Sequence, residues 1–267
     1  MKVYKSTKSL VKNHVFQLPH KEEKLMNYIK QTKSNCLIRD GNFAKEIIWN
    51  GTSFKFTKHE DKEKGNAFRK GLFLFGLVRK DAKEYIKKKG SKVPKQYPVN
   101  VTNTKYDFRD DKIIGFDVDH AYWRIAFNFG IIKYNTYFYG LNNDFKALRL
   151  ACLSTMGKPK EYLEIKNGEI TKRPVLIEGN VEMENVYKII RYTCYKYMQD
   201  MKRMLKDDFV SYNTDCIYFR DTKENRKMIA DYLKSKDLSH KMLVQKKKVS
   251  PSKETLLTNK RTKQNDD

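Results

Sequence analysis

The clearest pattern in the chain is a stripe in which Val186, Ile190, Cys194, Tyr197, Met201 and Leu205 recur at helical spacing, predicting a helix over 184–206. Such a one-sided stripe is the mark of a helix packed on a core. Further upstream, Lys112-Ile-Ile-Gly-Phe-Asp-Val-Asp119 is an almost continuous apolar run, the signature of a buried strand, and it ends in two carboxylates. The aromatic AYWRIAFNFG that follows has helical rather than alternating spacing. Residues 142–157 predict a helix capped by Asn142 or Asn143 and stopped at Gly157, with Pro159 reinforcing the stop. Residues 161–181 predict a hairpin turning at Asn167-Gly168. Phe209 to Phe219 reads as two strands meeting at a tight turn, Asn213-Thr214-Asp215.

The first part of the chain is less periodic. Helical segments are expected at 20–33 and 81–89 and a strand-like stretch at 46–56, broken by turn-like residues at 50–53 and 87–98. From 245 onward apolar residues almost vanish, which predicts a disordered basic tail. The expected organisation is a basic α+β region over 1–105, a catalytic region over 106–244 and the tail 245–267.

Composition narrows the function. Lys and Arg number 56 against 32 Asp and Glu, a net charge of +24, and aromatic residues make up 13%, enough for a folded core. That charge attracts polyanions and predicts salt-sensitive binding to nucleic acid. No apolar run approaches the roughly 18 residues of a transmembrane helix, so no membrane association is expected. Cys36, Cys152, Cys194 and Cys216 are scattered, with no zinc-ligand spacing. The basic N-terminus has no apolar stretch of the secretory kind, and an intracellular, cytoplasmic protein is expected.

Nucleotidyl transfer needs divalent cations held by carboxylates from separate parts of a chain. Asp117 and Asp119 at a strand end, and Asp215 in a hairpin turn, offer such a set. Three segments then carry a family resemblance. Asp117-Val-Asp-His-Ala-Tyr122-Trp keeps the Asp and Tyr of D-x-x-S-L-Y-P, with His120, Ala121 and Trp123 at the remaining motif positions. Arg149-Leu-Ala-Cys-Leu-Ser154-Thr-Met-Gly157 keeps the spacing of K-x-x-x-N-S-x-Y-G. Asn213-Thr214-Asp215-Cys216 follows D-T-D-S with its first Asp replaced by Asn. In this order the segments resemble the palm and fingers of family B DNA polymerases, over about 107–220.

The resemblance implies an α+β fold: a polymerase palm, an antiparallel sheet with packed helices, bearing short helical fingers beside a small basic N-terminal region. It implies Asp117 and Asp215 as catalytic metal ligands, with Asp119 a third candidate ligand, for Mg2+ or Mn2+. Tyr122 would floor the sugar pocket. Arg149, assisted by Lys146 and flanked by Ser154 and Gly157, would bind the triphosphate. Lys246, Lys247 and Lys248 could meet the primer strand. The expected partners are a DNA primed template or single strand and a dNTP. Because the chain has little room for an exonuclease or a thumb, a processivity or priming protein is a further expected partner. Such economy suits a virus or mobile element in a bacterial host. Two alternatives stand beside this one: a catalytically inactive palm that binds nucleic acid or acts as a scaffold, and a primase-polymerase. The second shares the strand with its D-x-D but would need a His between residues 121 and 214, where there is none.

Overall fold

Strands and helices of this chain separate into two compact units that interleave along the sequence: residues 1–90 with 138–185, and residues 91–137 with 186–267. The computed structural model describes residues 2–4, 10–17, 19–41, 44–57, 62–105, 112–141, 146–246 and 258–261. The segment 106–244 contributes to both units rather than to one.

The first unit holds β1 (Lys2–Tyr4), β2 (Asn13–Gln17), α1 (His20–Gln31), β3 (Cys36–Asp40), β4 (Ala44–Trp49), β5 (Thr52–Thr57) and α2 (Lys62–Lys89). The second unit opens with β6 (Asn100–Thr102), β7 (Ile113–Val118) and α3 (Ala121–Asn128). The chain returns to the first unit within α4 (Tyr134–Gly140) and adds α5 (Lys146–Ser154), β8 (Lys160–Lys166) and β9 (Glu169–Ile177). It leaves again within α6 (Val181–Leu205), and the second unit is completed by β10 (Phe209–Asn213), β11 (Cys216–Arg220), α7 (Lys223–Ser235), β12 (His240–Lys246) and β13 (Thr258–Arg261).

In the first unit seven strands run in the order β1-β9-β8-β3-β4-β5-β2, antiparallel except for the two outermost pairs. Strand alternation gives the sheet two faces. Cys36, Ile38, Ile47, Phe56 and Ile165 pack with Ile29 of α1, and Ile48, Tyr162, Val175 and Ile177 form a second cluster. Asn167 and Gly168 both have positive φ, 51° and 83°, the backbone a two-residue turn between β8 and β9 requires.

One charge sits in this second cluster. Glu46 is 5% exposed, accepts hydrogen bonds of 2.8 Å from Ser53 Oγ and from the Tyr162 hydroxyl, and lies 3.5 Å from Lys160 Nζ. Burial alone would raise its pKa, but Lys160, Lys55 and the two hydroxyls outweigh burial and pull it down to about 2. A carboxylate held below its unfolded value contributes stability above pH ~4.5 that is lost as the pH falls through the folded pKa, here on the order of 3 kcal/mol. The urea-stability gap between wild type and Glu46→Gln is therefore expected to close between pH 4.5 and 2. A gap that stays constant over that range would refute this.

In the second unit six strands lie in the order β13-β12-β7-β11-β10-β6, every pair antiparallel. β7 is flanked on both sides, which explains its apolar run: Ile113, Ile114, Phe116 and Val118 are buried, and Asp117 is half-buried. From the expected helical stripe, Val186, Ile190, Cys194, Met201 and Leu205 of α6 are buried, and Tyr197 is partly exposed. Thr258–Arg261 pair with β12, where composition predicts a disordered tail. Adding a strand at a sheet edge draws on backbone hydrogen bonds, which need no apolar side chains. The fold is α+β, with one mixed and one antiparallel sheet. Among the described residues no helix is long and apolar enough to cross a membrane.

Candidate active site

The hairpin β10–β11 brings the two distant carboxylates together. Asn213 pairs with Cys216, leaving Thr214 and Asp215 as the turn, and Cys216 pairs across to Asp117 on β7. The Val118 N–H donates to the Asp215 carbonyl at 3.0 Å, fixing the turn beside the end of β7. Asp215 has its pKa pushed up to about 6, first by burial and then by the Asp117 charge, against a backbone hydrogen bond that lowers it. Two like charges held this close repel one another, and a cation between them would relieve that repulsion.

Both turns beside these carboxylates are strained. Thr214 has φ 57° and His120, the residue before α3, has φ 51°. A left-handed backbone at a β-branched or bulky residue costs about 1–3 kcal/mol and gathers at functional sites. Behind the turn lies α6, whose buried Cys194 donates to the Thr214 carbonyl at 3.7 Å. The exposed Asn213 accepts a 3.1 Å bond from the Thr214 hydroxyl.

Asp119 is placed differently from the other two carboxylates. It lies in the turn after β7, and Lys241 of β12 approaches its Oδ1 at 2.5 Å, an ion pair whose angle is not that of a hydrogen bond. A carboxylate neutralised by lysine is a poor third ligand. Among the described residues no group of three or more His, Cys, Asp or Glu is arranged to hold a metal. The donor set that fits a divalent cation is the pair Asp117 and Asp215, hard oxygens brought together from two segments.

Tyr122 sits on α3, half-buried, with its hydroxyl donating to that of Tyr195 at 3.3 Å and its ring 6.4 Å from that of Tyr187. Burial, followed by the Tyr195 bond, pushes its pKa up, so it remains a neutral phenol. Arg191 donates to the same Tyr195 hydroxyl at 3.1 Å. Tyr195, Arg191 and Lys241 are residues that sequence reasoning missed. Lys241 alone carried a signal, because it stands beside the apolar Met242-Leu243-Val244 run in the HKMLVQK stretch that follows α7.

The expected triphosphate-binding residues belong to the other unit. Arg149 is 5% exposed and donates to the Gly140 carbonyl at 2.7 Å, so this guanidinium is buried in the unit's interior. Ser154 is the last residue of α5 and half-buried. Gly157 has φ 76° and lies against the start of α6. Lys146 opens α5, and Lys246 closes β12; their side chains, with the whole of Lys247 and Lys248 and the proposed caps Asn142 and Asn143, lie outside the described residues. Comparison with protein-family models, with curated proteins and with solved structures finds no match to this chain.

Proposed function

We propose that the second unit is the palm of a minimal family B-like DNA polymerase, in which Asp117 and Asp215 hold the catalytic cation. The observation that carries this reading is the convergence of the two carboxylates, from separate segments, at the end of a buried strand and the tip of a strained hairpin. Bound there, Mg2+ or Mn2+ would activate a primer hydroxyl and stabilise the departing pyrophosphate. The chain's own residues set the conditions: Lys241 neutralises Asp119, and the Tyr195 hydroxyl orients the Tyr122 ring. Partners on this reading are a primed DNA and a dNTP, in a cytoplasmic setting.

Primer extension with labelled dNTPs and either cation tests it. Addition by wild type is expected, and its absence with both cations overturns the reading. Tyr122→Ala is expected to raise ribonucleotide over deoxyribonucleotide incorporation about tenfold or more, as loss of a steric wall does. Tyr122→Phe keeps the ring and retains the discrimination; if Tyr122→Ala remains active with an unchanged ratio, the tyrosine does not floor the sugar.

One observation favours a second reading, a palm that binds nucleic acid without catalysis. Arg149, the cation matched to the triphosphate-binding position, is buried on a backbone carbonyl. Asn213 in place of the first hairpin Asp points the same way.

A further inference from the structure

The polar residues around Glu46 form a line across the seven-stranded sheet. Arg39 on β3 pairs with Glu46 on β4, Glu46 pairs with Lys55 on β5, and Lys55 pairs with Phe16 on β2. Tyr162 and Lys160 of β8, two residues apart and so on one face, close the line from the other side through their contacts with Glu46. Two lysines therefore flank a single carboxylate, with Arg39 beside it on the neighbouring strand. Further along β8, Glu164 is ion-paired with Lys166.

These cations have donors to spare. Lys160 Nζ and Lys55 Nζ stand 3.5 Å and 3.9 Å from Glu46, longer than close ion pairs, and the carboxylate is already held by Ser53 and Tyr162. Arg39, half-buried, makes no hydrogen bond or ion pair with the described residues, and its guanidinium is a planar fork of donors. The side chains of Lys55 and Lys160 are 22% and 26% exposed, so their charge is screened less than at an open surface while remaining reachable. His14, paired with Ser53 in the adjoining row, has its pKa lowered by burial and then by Lys55, and adds a neutral imidazole rather than another charge. The surplus is felt at Lys160, whose pKa burial lowers and which Lys55, Arg79 and Arg39 lower further against the pull of Glu46.

We propose that Arg39, Lys55 and Lys160, arranged around Glu46, form a binding site for a phosphate group carried by a nucleic-acid end or by a nucleotide. Glu46 holds the two lysines in place, and a tetrahedral oxyanion accepts their remaining protons together with the guanidinium fork. A half-buried site of this kind favours a terminal phosphate, with its greater charge and free oxygens, over the diesters of a continuous strand. The site lies in the first unit and does not rest on Asp117 or Asp215.

The test is fluorescence anisotropy with a short 3′-labelled oligothymidylate, with and without a 5′-phosphate, at physiological salt. Wild type is expected to bind the phosphorylated form about tenfold tighter, the effect of one or two charge-assisted hydrogen bonds. Arg39→Gln is expected to lose most of that preference without a change in melting temperature, since its guanidinium holds nothing described in the fold. Lys89→Gln, at the exposed end of α2, removes the same charge and keeps the preference. Competition with dTTP and with inorganic phosphate separates the sources. If dTTP displaces the oligonucleotide in an Arg39-dependent way while the 5′-phosphate makes no difference, the ligand is a nucleotide. Equal binding of both oligonucleotides, with dTTP competition unaffected by Arg39→Gln, overturns the site.

Discussion

Asp117→Asn and Asp215→Asn are each expected to abolish nucleotide addition while leaving a folded protein that still binds DNA. Losing one of two ligands forfeits several kcal/mol of transition-state charge stabilisation, about a thousandfold or more in rate. DNA binding survives because a net charge of +24 does not depend on one carboxylate. Stability and activity should move in opposite directions for Asp215→Asn, since removing one of two repelling charges leaves the melting temperature at or above that of wild type. Mn2+ binding followed by electron paramagnetic resonance should weaken in both variants, a readout independent of turnover. Asp119→Asn is the internal control, milder because Lys241 already neutralises that carboxylate. Asn213→Asp should leave addition unchanged or raise it. Full activity in either Asp117→Asn or Asp215→Asn would remove the pair from catalysis.

The second large effect is expected in the first unit, at a glycine rather than a carboxylate. Gly157→Ala should destabilise the first unit by about 3 kcal/mol or more, measured as a fall in the urea midpoint. A Cβ at this position would lie 2.2 Å from the Asn180 carbonyl oxygen and 2.4 Å from the Glu184 nitrogen, both backbone atoms that cannot rotate aside. The φ of 76° adds strain for any L side chain. The contact also anchors the start of α6, where the Asn180 N–H donates to the Gly157 carbonyl at 2.8 Å and Asn180 Oδ1 accepts from the Met183 N–H at 2.8 Å. A loss under about 1 kcal/mol would mean that the helix start shifts freely. This packing accounts for the glycine that ends the fingers-like motif without recourse to a ligand.

Elements whose burial is local were legible in the sequence. The run from Ile113 to Val118 announced a strand flanked on both sides, and the spacing of Val186 to Leu205 announced α6. The convergence of Asp117 and Asp215 could be anticipated only through the order of the polymerase-like motifs, because nothing local says that strands nearly a hundred residues apart will pair. Arg149 shows the limit: an arginine on an amphipathic helix reads the same whether its guanidinium meets solvent or, as here, the Gly140 carbonyl. α2 was visible only over 81–89 because Gly65, Gly71 and Gly76 interrupt the helical pattern before it. Gly71 lies under Leu148 of α5, whose Cδ1 would stand 2.4 Å from a Cβ at this position. Glu46 gave no signal, since its neighbours Ser53, Tyr162 and Lys160 are brought to it only by strand pairing.

The interleaving of the two units sets an order of events on the ribosome. The first unit has all its strands once residue 177 has emerged, so it can close while synthesis continues. β7 has no such early partner: both of its neighbours, β11 and β12, begin nearly a hundred residues or more after it ends. At ~5–20 residues per second, the most apolar strand of the candidate site waits several seconds or longer for company. Its exposed run is the stretch on which a nascent-chain chaperone would act, and the two carboxylates meet only after residue 215 has emerged.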